Sequence, residues 1–93
     1  EKAAEQGDAS SQYNLGLLYD KGEYVAQDYM KAVELYRKAA AQGHERAQYA
    51  LGRCYYLGFG VTQNIQTAAE WWKKSAAQDY EKAKEALEKT GLN

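Results

Sequence analysis

The sequence repeats itself at a spacing of 36 residues, and this self-similarity limits the possible folds more than any other feature. When each residue from Gly7 to Gln42 is paired with the residue 36 positions later, fifteen of the 36 pairs are identical. Roughly two identities would be expected by chance for ordinary composition. A period of about 20 to 50 residues indicates stacked units, each of which buries its apolar face only against its neighbours. We therefore expect a solenoid with two full repeats.

The apolar spacing inside each repeat is that of two helices. In the first helix, Leu15, Leu18 and Tyr19 fall on one stripe. In the second helix of the first repeat, the predicted core positions are Tyr29, Ala32, Leu35, Tyr36, Ala39 and Ala40. In the first helix of the second repeat they are Ala47, Leu51, Cys54 and Tyr55. Gly16 and Gly52 lie within the first helices, where glycine costs about 1 kcal/mol against alanine. Their recurrence at one phase indicates that a neighbouring helix approaches closely.

Short polar residues mark where the helices begin. Asp28 and Asn64 precede the two second helices, and each side chain can accept a hydrogen bond from the amides of the first turn. Asp8 and Asp79 can act in the same way elsewhere in the chain. Residues 22–27 and 58–63 then form the loops within the helix pairs, so that the paired helices run antiparallel.

The two copies carry the motifs of a known repeat. QYNLGLLYDKGEYVAQDYMKAVELYRKAAAQG in the first copy, and AQYALGRCYYLGFGVTQN with AAEWWKKSAAQ in the second, resemble the Sel-one-like repeat, a relative of the tetratricopeptide repeat. The resemblance covers residues 7–78 fully and the flanks partly. It implies an all-α fold, a right-handed αα-superhelix of helix-turn-helix repeats. One departure lies in the first loop, where Tyr24 stands at the position of Gly60.

The repeat phase also divides the chain. We expect a single repeat domain over residues 1–93, in which residues 1–6 are the tail of a preceding repeat helix, 7–42 the first repeat, 43–78 the second and 79–93 a C-terminal capping helix. The capping helix has Lys84, Glu85 and Glu88 where the repeats have Gln, Tyr and Gly. A polar outer face is what the terminal unit of a solenoid requires.

The charge and the rare residues argue against several classes of function. Twelve basic and thirteen acidic residues give a net charge of −1, so no net field attracts nucleic acid or an acidic membrane surface. No apolar run reaches the roughly 18 residues of a membrane span, and we expect a soluble domain, with bacterial cytoplasm and periplasm both open. Cys54 and His44 are the only residues of their types, which argues against a disulfide, a metal site, a cofactor and a Cys–His catalytic pair.

A second set of large side chains lies opposite the core stripe of the first helices. Tyrosine and arginine, which occur at these positions, are among the residue types most enriched at interface hot spots. In related tetratricopeptide repeats, the corresponding positions line a concave groove. The predicted partner-binding residues are Tyr13, Asn14, Leu17, Asp20, Tyr49, Arg53 and Tyr56. On the same helical phase, Tyr19 and Tyr55 are expected to be much more buried than Tyr13, Tyr49 and Tyr56.

These observations favour a monomeric, non-enzymatic scaffold that binds a protein or peptide on the concave face of the first helices. One alternative is an enzyme, because some cysteine-rich members of the resembled family are linked to binding or hydrolysis of β-lactams. Cys54 alone cannot form the two-cysteine framework of those repeats. The other alternative is a purely structural segment that joins repeats or copies of itself.

Overall fold

The computed structural model describes residues 7–92, and in that range the chain forms five helices and no strand. The helices are α1 (Ala9–Lys21), α2 (Tyr29–Ala41), α3 (Glu45–Leu57), α4 (Ile65–Ala76) and α5 (Glu81–Thr90). The predicted tail of a preceding helix, residues 1–6, lies outside the described residues.

The helices stack in the order of the sequence. α1 packs on α2, α2 on α3, α3 on α4 and α4 on α5. The principal extents of 37, 23 and 17 Å are those of an elongated stack. Contacts restricted mainly to sequence neighbours are the property that defines a solenoid. The predicted all-α repeat fold is confirmed.

Side-chain caps fix the starts of three helices, as the sequence predicts. Asp8 accepts a hydrogen bond from the amide of Ser11 at the start of α1. Asp28 and Asn64 do the same for Lys31 and Thr67 at the starts of α2 and α4. Each cap satisfies one of the amides that the first turn of a helix leaves without a partner.

The capping role predicted for Asp79 is wrong. Tyr80 occupies the N-cap position of α5 and makes no side-chain capping bond. Asp79 adopts a left-handed backbone with a φ of 64°, and its carboxylate accepts a hydrogen bond from Lys84 Nζ at 3.0 Å. The turn before α5 therefore directs the Asp79 side chain along the outside of the helix instead of onto its first amides.

The core centres on α2 and α3, with side chains of α1 and α4 packed against it. Its buried residues on α2 and α3 are Ala32, Val33, Tyr36, Ala39, Ala40, Ala47, Ala50, Leu51 and Cys54. Most of these positions follow the predicted core phase. Small side chains predominate, so the helix axes approach closely and the larger residues Tyr36 and Leu51 fill the space between them.

The core stripe predicted for α1 is wrong. Leu15, Leu18 and Tyr19 are only half-buried, whereas Gln12, Gly16 and Asp20 are buried. α3 packs on both α2 and α4, but within residues 7–92 α1 packs mainly on α2. The apolar stripe of α1 therefore has no full helix against it in this range, whereas the adjacent face, with Gly16 and Asp20, lies against Tyr36 of α2.

The two helical glycines lie where an aromatic ring of the paired helix crosses. A Cβ atom at Gly16 would lie 2.8 Å from Cε1 of Tyr36, and a Cβ at Gly52 would lie 2.6 Å from Cδ1 of Trp72. Such distances are shorter than van der Waals contact, so any side chain would force the helices apart. The predicted close approach is confirmed at both positions.

In each loop within a helix pair, one residue at the same repeat position has a left-handed backbone. The surroundings of this residue differ between the two loops. Gly60 has a φ of 73°, and a Cβ there would lie 2.5 Å from the carbonyl oxygen of Tyr29, because the second loop packs on the start of α2. Tyr24 keeps the same conformation, with a φ of 65°, and its side chain is 95% exposed. The left-handed conformation at Tyr24 is therefore strained and no burial of the side chain offsets it.

Replacing Tyr24 with glycine is expected to stabilise the domain. Glycine tolerates positive φ, and the exposed ring contributes no packing, so the free energy of unfolding should rise by about 0.5–1 kcal/mol, net of the entropy that glycine loses. In a domain of this size, that change corresponds to a rise of roughly 2–8 °C in the melting temperature. The matched control is Tyr24→Ala, which keeps a Cβ and should give no gain. Equal melting curves for the two variants would contradict the strain.

Candidate interaction surface

A cavity of about 410 Å³ lies between α3, α4 and α5. We call it the α3–α5 groove, and its lining residues are Tyr49, Arg53, Tyr56, Leu57, Trp72, Lys82, Glu85, Ala86, Lys89 and Thr90. Three of the predicted partner-binding residues, Tyr49, Arg53 and Tyr56, line this groove. The structure thus brings together the second-repeat members of the predicted set.

Helical periodicity places these side chains on the walls of the groove. Tyr49, Arg53 and Tyr56 are spaced i, i+4 and i+7 along α3 and share one face. Lys82, Glu85 and Lys89 follow the equivalent spacing of i, i+3 and i+7 along α5. Trp72 of α4 is buried and forms the base. Two helix faces with polar side chains therefore flank an aromatic floor.

The aromatic residues of the groove are held by direct contacts. The ring of Tyr56 packs on that of Trp72, with 5.3 Å between centroids, and the ring of Tyr49 meets Tyr80 edge-on at 5.7 Å. Trp72 Nε1 donates a hydrogen bond to the carbonyl oxygen of Tyr49 at 3.1 Å. These contacts fix the shape of the groove in the chain alone, without a bound partner.

The first-repeat members of the predicted set do not line the groove. Tyr13 stacks on His44 with 5.0 Å between ring centroids, and burial raises the pKa of its hydroxyl. Leu17 is half-buried against the core, and Asn14 is exposed. The second half of the predicted patch therefore lines a cavity, whereas Tyr13 and Leu17 of its first half pack on neighbouring side chains.

Asp20 departs furthest from its predicted exposed position. The residue is buried, with 7% of its surface exposed, and its Oδ2 accepts hydrogen bonds from the hydroxyl of Tyr36 and from Nη2 of Arg53, each at 2.7 Å. α1, α2 and α3 each contribute one member of this cluster. Helical phase predicts which way Asp20 points from α1. It does not predict that a tyrosine from α2 and an arginine from α3 surround the side chain.

The cluster joins the two repeats electrostatically. Burial and then the hydrogen bond to Asp20 raise the pKa of Tyr36, so that this hydroxyl stays protonated and donates. Burial alone would lower the pKa of Arg53, but the charge of Asp20 and its hydrogen bond outweigh that effect and raise it. The arginine is about one-third exposed, so water screens part of this attraction.

The predicted contrast in tyrosine burial is wrong. Tyr19, Tyr55, Tyr13, Tyr49 and Tyr56 are all half-buried. Lys31 Nζ lies 5.4 Å from the ring of Tyr19, and the hydroxyl of Tyr55 accepts a hydrogen bond from Arg37 Nη1 at 3.0 Å, so both reach the polar outside of the stack. Exposure alone does not distinguish binding tyrosines from structural ones here, and the cavity is the better criterion.

Cys54 and His44 each have a structural role. His44 Nδ1 accepts a hydrogen bond from the amide of Ala47 and so caps α3, a role that its position in the sequence does not predict. Cys54 is fully buried, and burial raises the pKa of its thiol to about 11. A nucleophilic cysteine needs the opposite shift, because the thiolate is the reactive form.

Two hydrogen bonds between glutamines, one in each repeat, are not among the predicted contacts, although the sequence contains a signal for them. Gln42 Nε2 donates to Gln12 Oε1 at 2.8 Å, and Gln78 Nε2 donates to Gln48 Oε1 at 3.0 Å. Both pairs consist of residues that are identical between the repeats. Polar identities at positions near the core indicate a recurring, partly buried hydrogen bond as readily as apolar identities indicate packing.

Within residues 7–92, no three side chains of His, Cys, Asp or Glu lie together in a way that could hold a metal ion. The longest helices of the same range have 13 residues. None of them is long and apolar enough to cross a membrane.

The stacked antiparallel pairs, the glycine-to-aromatic crossings and the groove between successive first helices define an α-helical repeat protein. The Sel1 repeat profile matches residues 1–8, 9–44 and 45–80, so that most of the chain is covered. The chain belongs to the Sel1 repeat family. Among curated proteins, none matches the chain.

Solved structures from three bacteria have the same fold. A Sel1 repeat protein from Oxalobacter formigenes is 42% identical over 94% of this chain, with a TM-score of 0.91. The protective antigen c5321 of uropathogenic Escherichia coli, which displays an SLR fold, is 40% identical over 91% with a TM-score of 0.89. Cysteine rich protein B of Helicobacter pylori is 31% identical over 92% with a TM-score of 0.86. This chain spans less than two thirds of each: 65%, 18% and 65%.

Removing the Asp20 carboxylate is expected to destabilise the repeat junction. In Asp20→Ala the buried Tyr36 hydroxyl loses its acceptor, which should cost about 2–3 kcal/mol of unfolding free energy. Asp20→Asn keeps an acceptor oxygen and should lose less. Urea unfolding followed by circular dichroism measures both variants. A curve for Asp20→Ala that coincides with the wild type would show that the cluster contributes no stability.

Proposed function

We propose that this domain is a non-enzymatic interaction scaffold that holds a peptide or protein segment in the α3–α5 groove. The observation that supports this function best is the groove itself, one wall of which is the face of α3 predicted to bind a partner. Its volume of about 410 Å³ lies in the range of binding pockets, roughly 300–1,000 Å³. Its lining includes Tyr49, Arg53, Tyr56 and Trp72, which are of the residue types most enriched at interface hot spots.

The exposed apolar surface of the groove supports the same function. Leu57, at the end of α3, has 45% of its surface exposed beside the buried Trp72. The tyrosines bring large apolar areas that retain a polar hydroxyl, and their rings are already held against Trp72 and Tyr80. A surface that is ordered before binding loses less conformational entropy when a partner arrives.

The family points to the same class of function. Sel1 repeats commonly serve as protein–protein interaction modules. The neighbour from Helicobacter pylori is a cysteine rich protein, whereas this chain has one cysteine, Cys54, which is buried with a raised pKa. This thiol supports neither the disulfide framework nor a nucleophile, which argues against the alternative of a β-lactam-handling enzyme.

A second candidate function, joining repeats or copies of the chain, has one observation in its favour. A cavity of about 190 Å³ lies on the outer flank of α1 and α2, with Leu15, Tyr19 and Leu35 in its lining. Leu15 corresponds to Leu51, which is fully buried where α3 packs on α2. The half-buried flank of α1 is therefore the part of the surface that another repeat would cover. Sedimentation velocity distinguishes this candidate, because it requires association at micromolar concentration.

Selection of displayed random 12-residue peptides on the immobilised domain tests the groove. Peptides so selected should bind Leu57→Ser about fivefold more weakly, because a half-exposed leucine contributes on the order of 1 kcal/mol when covered. The matched control is Met30→Ser, since Met30 is 74% exposed but does not line the groove. Fluorescence anisotropy with labelled peptides measures both affinities.

Met30→Ser should leave the affinity within about twofold of the wild type, as expected for a position outside the contact. Both variants should melt like the wild type. Failure to enrich any peptide, or a loss of affinity in Met30→Ser but not in Leu57→Ser, would contradict the assignment of the groove.

A further inference from the structure

The α3–α5 groove carries more positive than negative charge. Arg53, Lys82 and Lys89 line it, with Glu85 as the acidic residue. The domain as a whole has a net charge of −1, so this excess belongs to the groove. Within residues 7–92, Arg53 is paired with Asp20, but Lys82 and Lys89 form no ion pair. Two lysines therefore line the groove with no carboxylate within ion-pair distance in that part of the chain.

Comparison of the two repeat junctions shows that Lys89 has no carboxylate partner equivalent to Asp20. At the junction of the first and second repeats, a carboxylate lies between a hydroxyl and a cation: Asp20, Tyr36 and Arg53. The residues 36 positions later are Tyr56, Trp72 and Lys89. The next junction thus keeps the cation but has a tyrosine in place of the acid and an indole in place of the phenol. The chain supplies no carboxylate for this second junction at the position that Asp20 fills in the first.

Apolar surface lies next to this charge. Leu57 is exposed, Trp72 forms the base, and Tyr49 and Tyr56 flank it. Nearby apolar surface lowers the local dielectric constant and strengthens the attraction between Lys89 and an incoming carboxylate. The arrangement is complementary to an acidic residue with an apolar neighbour. The phosphate of a nucleic acid is less complementary, because an apolar group reaches this surface only if a base stacks on it.

From these observations we infer that the groove binds a peptide segment in which Asp or Glu lies next to an apolar residue. The carboxylate pairs with Lys89 and takes the role that Asp20 has at the first junction. The apolar neighbour packs on the exposed side chain of Leu57. This inference rests on the proposed function, since it specifies the chemistry of the partner that the groove holds.

The test compares peptide selection on the wild type and on a charge-reversed variant. Random 12-residue peptides selected on the wild type should be enriched in Asp and Glu beside apolar residues. On Lys89→Glu the same library should be enriched in Lys and Arg, because the sign of the groove wall changes. Lys73→Glu is the matched control: Lys73 is an exposed lysine of α4 outside the groove, and its reversal should leave the selected sequences unchanged.

A second measurement uses the selected peptides themselves. Replacing their Asp and Glu with Asn and Gln should raise the dissociation constant for the wild type about tenfold at low salt, and less as salt rises. Both protein variants should keep the wild-type melting temperature, because the two lysines are exposed.

The outcomes separate this inference from the proposed function. Selected peptides that bind the groove but carry no acidic enrichment, or whose amide versions bind equally well, overturn the inference while the scaffold function stands. A failure to select any groove-binding peptide overturns both. A third outcome also overturns the inference. In it, a labelled single-stranded 15-nucleotide DNA binds the wild type more tightly than the selected peptides do, and Lys89→Glu abolishes this DNA binding. The groove would then recognise phosphate.

Discussion

The close crossing of an aromatic ring over a helical glycine is the contact on which the rest of this structure depends. Tyr36 lies against Gly16 in the first repeat, and Trp72 lies against Gly52 in the second. Glycine in the middle of a helix is unfavourable by about 1 kcal/mol relative to alanine, so its presence requires a compensating gain in packing. The gain is that α1 closes on α2 and α3 closes on α4, which buries the rings of Tyr36 and Trp72.

The proposed binding surface follows from the same crossing. Trp72 contacts Gly52, donates a hydrogen bond to the carbonyl of Tyr49 and forms the base of the groove. With its edge held in this way, its ring supports Tyr56 at 5.3 Å between centroids. One aromatic side chain therefore positions a helix pair and two of the side chains proposed to meet a partner. In the first repeat, Tyr36 at the equivalent position donates to Asp20 instead, and the junction is closed by an ion pair.

Periodicity predicts the architecture of this chain but only part of its surface. The 36-residue repeat predicts helix pairs, caps at Asp28 and Asn64, and close approach at Gly16, because each of these depends on residues near in sequence or identical between copies. It does not predict that Asp20 is buried, because Tyr36 and Arg53, which surround it, come from different helices. It also misplaces the buried face of α1, since an apolar stripe is covered only where another helix lies against it. The phase of α3 predicts one wall of the groove, whereas for α5, which forms the second wall, the sequence predicts only a capping role.

The unfolding free energy of Gly52→Ala, measured in urea, tests most directly whether the crossing determines the fold. At an ordinary helical position the substitution should stabilise the domain by about 1 kcal/mol. Here the new methyl group would lie 2.6 Å from the Trp72 ring and 3.1 Å from the carbonyl oxygen of Ala68. The structure predicts a loss of roughly 1–3 kcal/mol, the usual cost of overpacking. A variant as stable as the wild type, or more stable, would contradict it.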